Sequence, residues 1–459
     1  MVEQQHEAGP AEERAEATPE LAERVIDAAE AGDRTRVRAL VDHLPTPDFA
    51  DLIAMLEPDQ RVLLIGLLGA DMDFEVFSEL DSSVRDQLAE ALPNEDLARA
   101  AASLDTDDAA YLIENLEQSD REEVLARLPG SDRAALERNL EYPEETAGRL
   151  MQAAYVAVPP FWSVGQVIDH MRVAKDLPES FVDMFVVDPG YRVLGSLDLS
   201  RLLRSPRTAL VERIMSTDRH EVLATADQEE VARQFERYNL MSAPVVDANR
   251  RLVGVITVDD VVDVIKEEAE EDIRALAGVG DERLTDSVAR VAPPRFWWLA
   301  VNLATAILAS TVIKVFDATI QHMVALAVLM PIVASMGGNA GTQTMTVAVR
   351  ALAMRQLAAS RVPRFVLRET AVGLINGLAF AVLMGAIAWW WFGSGTLGGV
   401  IGAAMVINLL AAALAGILIP IALDRLGFDP AVSSTVFVTT VTDVVGFFAF
   451  LGLAALWLT

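Results

Sequence analysis

The chain has 459 residues, with 67 acidic against 37 basic side chains for a net charge of −30, and 52% of its residues are hydrophobic. It contains no cysteine, which excludes disulfides, thiolate metal centres and cysteine chemistry, and its five histidines are scattered without zinc-binding spacing. Such acidity disfavours nucleic acid as a partner and suits cations.

Charge is spread unevenly. Eight Lys/Arg and five acids lie from Val291 onward, which leaves 62 acidic and 29 basic residues in the first 290. An acidic soluble half therefore precedes a nearly neutral apolar one. Residues 1–20 are polar and acidic, which predicts a disordered tail and no cleavable signal. Between 21 and 148, leucines recur at 44, 56, 68, 80, 92, 104, 116, 128 and 140, a strict period of twelve. Twelve residues fit one short helix and a turn, and the Pro or Asp after several of these leucines suits a helix start. "LPTPDFADLIAMLEPDQR" returns as "LPNEDLARAAASLDTDDA" 48 residues later. The pattern predicts an α-helical solenoid of two-helix units.

A second duplication follows. "FVVDPGYRVLGSLDLSRLL" (185–203) aligns with "PVVDANRRLVGVITVDDVV" (244–262) at an offset of 59, with Asp188 over Asp247 and Gly195 over Gly254. Each copy reads as strand, turn, strand and acidic helix start, preceded by a helical segment. This twofold β-α-β-β-α pattern resembles a pair of cystathionine-β-synthase (CBS) domains, the first over 149–210 and the second over 211–267. The resemblance implies dimerisation and ligand sensing. Gly254, Thr257 and Asp260 match that family's nucleotide-contacting strand end, whereas the first copy has Asp198 and Arg201 at the places of Thr257 and Asp260. ATP is thereby left as one option at Thr257 and Asp260.

Residues 268–292 are expected to form a connecting helix. Where the second CBS copy runs into it, Asp259, Asp263, Glu267 and Glu271 are spaced by four, with Asp260, Glu268, Glu270 and Asp272 close by and Lys266 the one lysine. Like charges at that spacing destabilise a helix by about 0.2–0.5 kcal/mol per pair. Either the run is a solvated face, or divalent ions bridge it to other acids, Asp424 and Asp429 among them.

The membrane part is expected over 293–459. Five apolar segments at about 296–316, 320–349, 369–392, 398–423 and 431–458 are each long enough to span a bilayer. Arg350, Arg355, Arg361, Arg364 and Arg368 fill the loop between the second and third, so that loop is expected in the cytoplasm. Counting back puts the first 290 residues in the cytoplasm, and counting forward puts the C-terminus outside. The chain reads as a multi-pass inner- or plasma-membrane protein.

Two of these spans carry polar residues. "MGGNAGTQT" (336–344) places Gly338, Thr342 and Thr346 on one helical stripe with Asn339 and Gln343 beside it. "STVFVTTVTDVVG" aligns Thr435, Thr439 and Asp443. Asp443 is the one acid read as well inside a span, where a carboxylate costs about 2.5–3.5 kcal/mol on insertion scales. Small residues there also serve helix packing, and a protonated, hydrogen-bonded Asp is a structural alternative. A passing cation is the simplest compensating charge. Oxygen-only surroundings favour a hard ion such as Mg²⁺, without excluding Mn²⁺, Ca²⁺ or a monovalent ion. Asn302, Asn376 and Asn408 read as packing hydrogen bonds. No phosphate-binding loop or nucleophile–base set stands out, so an enzyme is the least supported class.

Solenoid, CBS pair, connecting helix and five spans in this order resemble the MgtE family of magnesium channels and transporters. Its most specific motifs are "PIVASMGGNAGTQTMTVAVRAL" (331–352) and "FDPAVSSTVFVTTVTDVVGFFAFLGLA" (428–454). The resemblance implies a homodimer with one central pore, Asp443 as its ion-selecting carboxylate, and Gly338, Thr342 and Thr346 as pore-wall partners beside Asn339 and Thr439. It further implies that Mg²⁺ on the cytoplasmic acids (Asp259, Asp260, Asp263, Glu267, Glu270 and Glu271) holds the pore shut. Asp429 is then expected against the connecting "plug" helix, with Asp227 and Asp247 as CBS-side ligands. Two other readings stand beside uptake through a gated pore. One is an ion-coupled transporter of Mg²⁺, Mn²⁺ or Co²⁺; the other is a magnesium sensor that does not transport.

Overall fold

The computed structural model describes residues 17–69, 72–174, 177–178, 180–279, 288–353, 357, 361–431 and 434–458. Most of the expected tail, Arg355, and residues 280–287 of the expected connecting helix lie outside this set. The chain divides into two compact units between Glu267 and Glu268.

Among the described residues, the first unit opens with ten helices: α1 (Pro19–Glu30), α2 (Arg34–Val41), α3 (Thr46–Met55), α4 (Pro58–Leu68), α5 (Val76–Glu79), α6 (Ser82–Ala91), α7 (Asn94–Ser103), α8 (Thr106–Ile113), α9 (Gln118–Arg127) and α10 (Gly130–Leu140). The twelve-residue leucine period marks helix ends. Leu56, Leu80, Leu92, Leu104 and Leu128 are C-caps in extended conformation, so each folds into the core while the chain turns to start the next helix. Leu92 leads straight into Pro93, and Leu104 into Asp105, the N-caps of α7 and α8. Five of the nine leucines are buried and the other four pack against the same core.

Two small sheets follow. β1 (Ala157–Val158), β2 (Asp183–Val187) and β3 (Val193–Asp198) form one; β4 (Val222–Leu223), β5 (Ser242–Val246) and β6 (Leu252–Thr257) form the other. Their registers match at the sequence offset. Asp183 faces Asp198 as Ser242 faces Thr257, and both hairpins slip register at the equivalent step. α11 (Val164–Val173), capped by Ser163, and α14 (Gln228–Tyr238), capped by Asp227, cross over to join each parallel pair. Two short helices, α12 (Leu199–Leu203) and α13 (Val211–Ile214), pack in the core of the first sheet, α13 from within the stretch read as the second copy. A Cβ on Gly195 would sit 2.0 Å from the Ser216 carbonyl oxygen, the strand-like partner of Ser196. Gly195→Ala is therefore expected to destabilise the first unit by about 1–3 kcal/mol; an unshifted thermal midpoint would contradict this close packing.

α15 (Val258–Ala277) carries the chain from the first unit into the second. There, α16 (Val288–Val315), α17 (Asp317–His322), α18 (Ala325–Ala353), α19 (Val362–Phe392), α20 (Gly395–Arg425) and α21 (Ser434–Trp457) follow. Five of these are long and apolar enough to cross a membrane. Pro293 and Pro294 fall inside α16, each removing one N–H from its ladder. The third span begins at Val362, seven residues ahead of Glu369. Glu369 is thus a buried acid two turns into a span, beside its neighbour Arg368 (Nε–Oε1 2.9 Å). Exposed Trp297 at the start of α16, and Trp389–Trp391 and Trp457 at the ends of α19 and α21, occupy the helix ends where aromatic belts sit.

α20 is the most enclosed membrane helix. It packs against α18, α19 and α21 through small residues: Gly416 approaches the Gly341 carbonyl, Gly373 meets Leu409 and Ala413, and Gly398 meets Gly385. Without a hydrophobic drive between helices in lipid, such close backbone approach supplies the packing energy.

A candidate ion path and an acidic cluster

The stretch 336–344 lies wholly within α18. Gly337 and Gly341 face inward and are buried, while Ser335, Asn339, Gln343 and Thr346 are exposed along one side. Gly338 and Thr342 border that side, with the Cβ position of Gly338 3.9 Å from Thr439 Cγ2 on α21. Thr342 donates its hydroxyl to the Gly338 carbonyl (3.0 Å), Thr346 donates to Thr342 (3.0 Å) and Thr439 to Thr435 (2.9 Å). Each hydroxyl proton is committed to its own helix, which leaves the oxygen lone pairs free to accept. Asp443 lies one turn beyond Thr439, half-buried, with no hydrogen bond or ion pair among the described residues. The structure therefore brings Gly338, Thr342 and Thr439 together and sets Asn339 and Thr346 on the adjoining open face.

The C-terminal end of α15 packs at one end of this bundle. Thr435, on the Asp443 stripe, donates to the Leu276 carbonyl (3.0 Å). Ala275 and Leu276 lie against the cluster of Met345, Val349, Ala431 and Val438. Asp429 accepts from the Ala431 amide (2.8 Å), bracing the approach to α21 two residues from that contact. Asp424 is in the last turn of α20.

Acids crowd together in the first unit as well. α8 begins "TDDAA", and its Asp107 is 2% exposed with Oδ1 left without a hydrogen-bond partner. Burial, then the charges of Asp260, Asp108 and Asp105, push its carboxyl well above the usual carboxylate range. Burial also raises Asp108 to about 6, against the opposing pull of Arg85. Asp260, at the start of α15, is raised by burial to about 7, with Asp259 and Asp108 adding to the shift. Its Oδ2 accepts from Thr257 Oγ1 (2.6 Å) and Gln152 Nε2 (3.2 Å). Thr257 and Asp260, the strand end read as a nucleotide option, are thus hydrogen-bonded to each other and to Gln152. Glu79 is raised by burial and by Asp263, while Tyr111 on α8 is raised by burial and by Glu267. A buried ion pair, Arg149–Glu114 (2.6 Å), and the Asn139 amide on the Gly148, Arg149 and Met151 carbonyls hold the solenoid to the paired sheets and so fix this meeting.

The remaining expected sensor residues stand elsewhere. Asp227 accepts from the Glu229 amide as the α14 cap (2.9 Å). Asp247 holds the β5–β6 turn through Asn249 and Arg251 (both 2.8 Å), as Asp188 holds the β2–β3 turn. Asp259, Asp263, Glu267, Glu270 and Glu271 are exposed on α15, with Glu270 4.0 Å from Arg274. Among the described residues, no three Asp, Glu or His side chains form a ready-made metal centre. The solenoid acids Glu79, Asp105, Asp107 and Asp108 are not evident as site residues from sequence; the Asp run at the α8 start is their one signal.

Family comparison adds to this picture. A divalent cation transporter model, MgtE, matches residues 330–453, the MgtE intracellular N domain matches 44–145, and a CBS domain matches 211–267. Magnesium transporter MgtE of Bacillus subtilis (strain 168) is 30% identical over 436 residues, covering 95% of this chain and 97% of that protein. Magnesium transporter MgtE of Thermus thermophilus is 38% identical over 332 residues, covering 71% and 73%. Among solved structures, the cytosolic domain of the Mg²⁺ channel MgtE in complex with ATP matches at 31% identity. That match covers 53% of this chain and 99% of that one, with a TM-score of 0.49. From its acidic head to its five apolar helices, the chain belongs to the MgtE family of magnesium transporters.

Proposed function

We propose that the chain conducts Mg²⁺ into the cell down its electrochemical gradient, between α18 and α21 of a homodimer, and that cytosolic Mg²⁺ closes the path. The carrying observation is the polar side of α18, open along Ser335, Asn339, Gln343 and Thr346, beside an Asp443 that has no partner among the described residues. Lipid cannot satisfy such a surface. A second copy set against it would enclose a hydrated groove walled by hydroxyls, amides and two carboxylates. Mg²⁺ gives up its water reluctantly, so oxygen acceptors that bind its water shell suit it better than a tight cage. A potential of 100 mV supplies about 4.6 kcal/mol for a divalent ion moving inward, without ATP.

Closure rests on the first unit. Asp107, Asp108 and Asp260 are packed together at the expense of their charge, and a divalent cation bound among them relieves that cost. The buried, unpartnered Asp107 Oδ1 fits such an ion. Occupancy then favours the arrangement in which the head is drawn together and the α15 end is seated at Thr435, a population shift. In this reading the N-terminal unit is cytoplasmic and the C-terminus outside. The test is Mg²⁺ entry into vesicles that hold the full chain, driven by an inside-negative potential. Flux is expected without ATP or a second ion gradient and should fall as Mg²⁺ rises on the head side. A requirement for a coupling ion, or no flux at all, overturns the reading.

A further inference from the structure

Asn408, on α20, is fully buried at the level where α18, α20 and α21 meet, and nothing in the ion path as described above uses it. Its Nδ2 donates to the Val333 carbonyl of α18 (2.8 Å), while its Oδ1 has no hydrogen-bond partner. A Cβ on Gly337 of α18 would lie 2.2 Å from Nδ2, and one on Gly446 of α21 would lie 2.7 Å from the same atom. The amide is thus clasped between two glycines on different helices, and each has room for it because the side chain is absent.

The clasp belongs to a register. Four residues further along α18 and α20, and four back on α21, Gly341 meets Ala412 and Thr442; next, Gly416 meets Gly341 and Met345. α18 and α20 therefore run parallel, with α21 antiparallel to both. Gly337 adjoins Gly338, and Gly446 is three residues from Asp443. A change in separation at the clasp therefore moves both walls of the proposed path. An amide left half-satisfied in hydrocarbon is costly, so its presence here calls for a compensating use.

We propose that Asn408 is a positioning residue that sets the α18–α21 spacing beside Asp443, and with it the discrimination between Mg²⁺ and larger divalent ions. This rests on the path proposed above. Asn408 touches no ion; it acts through the two helices that do.

The test uses full-length variants in vesicles, with Mg²⁺ and Ca²⁺ flux normalised to folded protein. Gly337→Ala and Gly446→Ala should each drive a methyl into the amide and cut Mg²⁺ flux about tenfold or more. Adding Asn408→Ala should restore both, since the truncated side chain vacates the same space. Asn408→Ala and the similar-sized Asn408→Leu, which keeps the helices packed should the smaller variant fail to fold, should still conduct, with the Mg²⁺:Ca²⁺ flux ratio down about fivefold. A residue that only held the bundle together, without setting the spacing beside Asp443, would change stability or total flux but not that ratio. An unchanged ratio in the folded variants, or rescue of one glycine variant without the other, overturns the proposal. Asp443→Asn, run in parallel, separates the two readings. Wild-type flux there removes the path itself, whereas a dead Asp443→Asn with an unaltered Asn408→Leu removes only the positioning role.

Discussion

Asp443→Asn is expected to abolish Mg²⁺ flux while leaving the helix bundle folded. The substitution keeps the shape and removes one negative charge from a site whose side chain has no partner among the described residues. Two unit charges 4 Å apart interact by about 4 kcal/mol at an effective dielectric constant of 20. A water between carboxylate and metal weakens this, but the double charge of Mg²⁺ restores much of it. A loss of about 3 kcal/mol at the narrowest point lowers occupancy roughly a hundredfold. Stability should hold or rise, because an asparagine is less costly than a carboxylate among apolar helices. Asp443→Glu keeps the charge on a longer arm and should retain partial flux with poorer discrimination among divalent ions. Uptake by Asp443→Asn within about twofold of wild type, where the charge argument requires two decades, would remove the carboxylate from the path.

The fold was largely legible because its signals repeat. A twelve-residue leucine spacing marks helix ends whose extended caps turn inward, and an offset of 59 reproduces two sheet registers residue for residue. The polar stripes of α18 and α21 were equally open to reading, since helical spacing fixes which residues share a side. Less local features were hidden. Asp107 and Asp108 sit in the first turn of a helix, where acids are common for dipole reasons. Only tertiary packing against Asp260 makes them unusual. Asp227 and Asp247 illustrate the converse. Their carboxylates bind backbone amides within four residues, a role signalled by the helix start after Asp227 and the turn sequence "DANR". Glu369 escaped because a span boundary lay seven residues earlier than hydropathy placed it. Asn408 was visible as a buried polar residue, but the two glycines that clasp it come from separate helices.

Protons and Mg²⁺ should compete for the acidic cluster, and the sign of the competition follows from the direction of the shifts. Asp107, Asp108 and Asp260 have folded-state values raised above those of the unfolded chain, the last two to about 6 and about 7. The groups facing them are Asp105, Asp259, Glu79 and Asp263, with Arg85 the opposing cation. Raised carboxyls contribute stability that is fully present below about pH 4 and is lost as pH rises through about 6–7. Without divalent ions, the head should therefore unfold more readily at pH 8 than at pH 6, by on the order of 2 kcal/mol. Metal needs the deprotonated ligand, so stabilisation by Mg²⁺ should be small at pH 6 and large at pH 8. Replacing Asp107, Asp108 and Asp260 together by asparagine should flatten both dependences and leave flux open when internal Mg²⁺ is high. A triple variant that still closes normally, or a wild-type head whose Mg²⁺ response is the same at both pH values, would reduce the cluster to a packed acidic surface and move the sensor to the exposed carboxylates of α15.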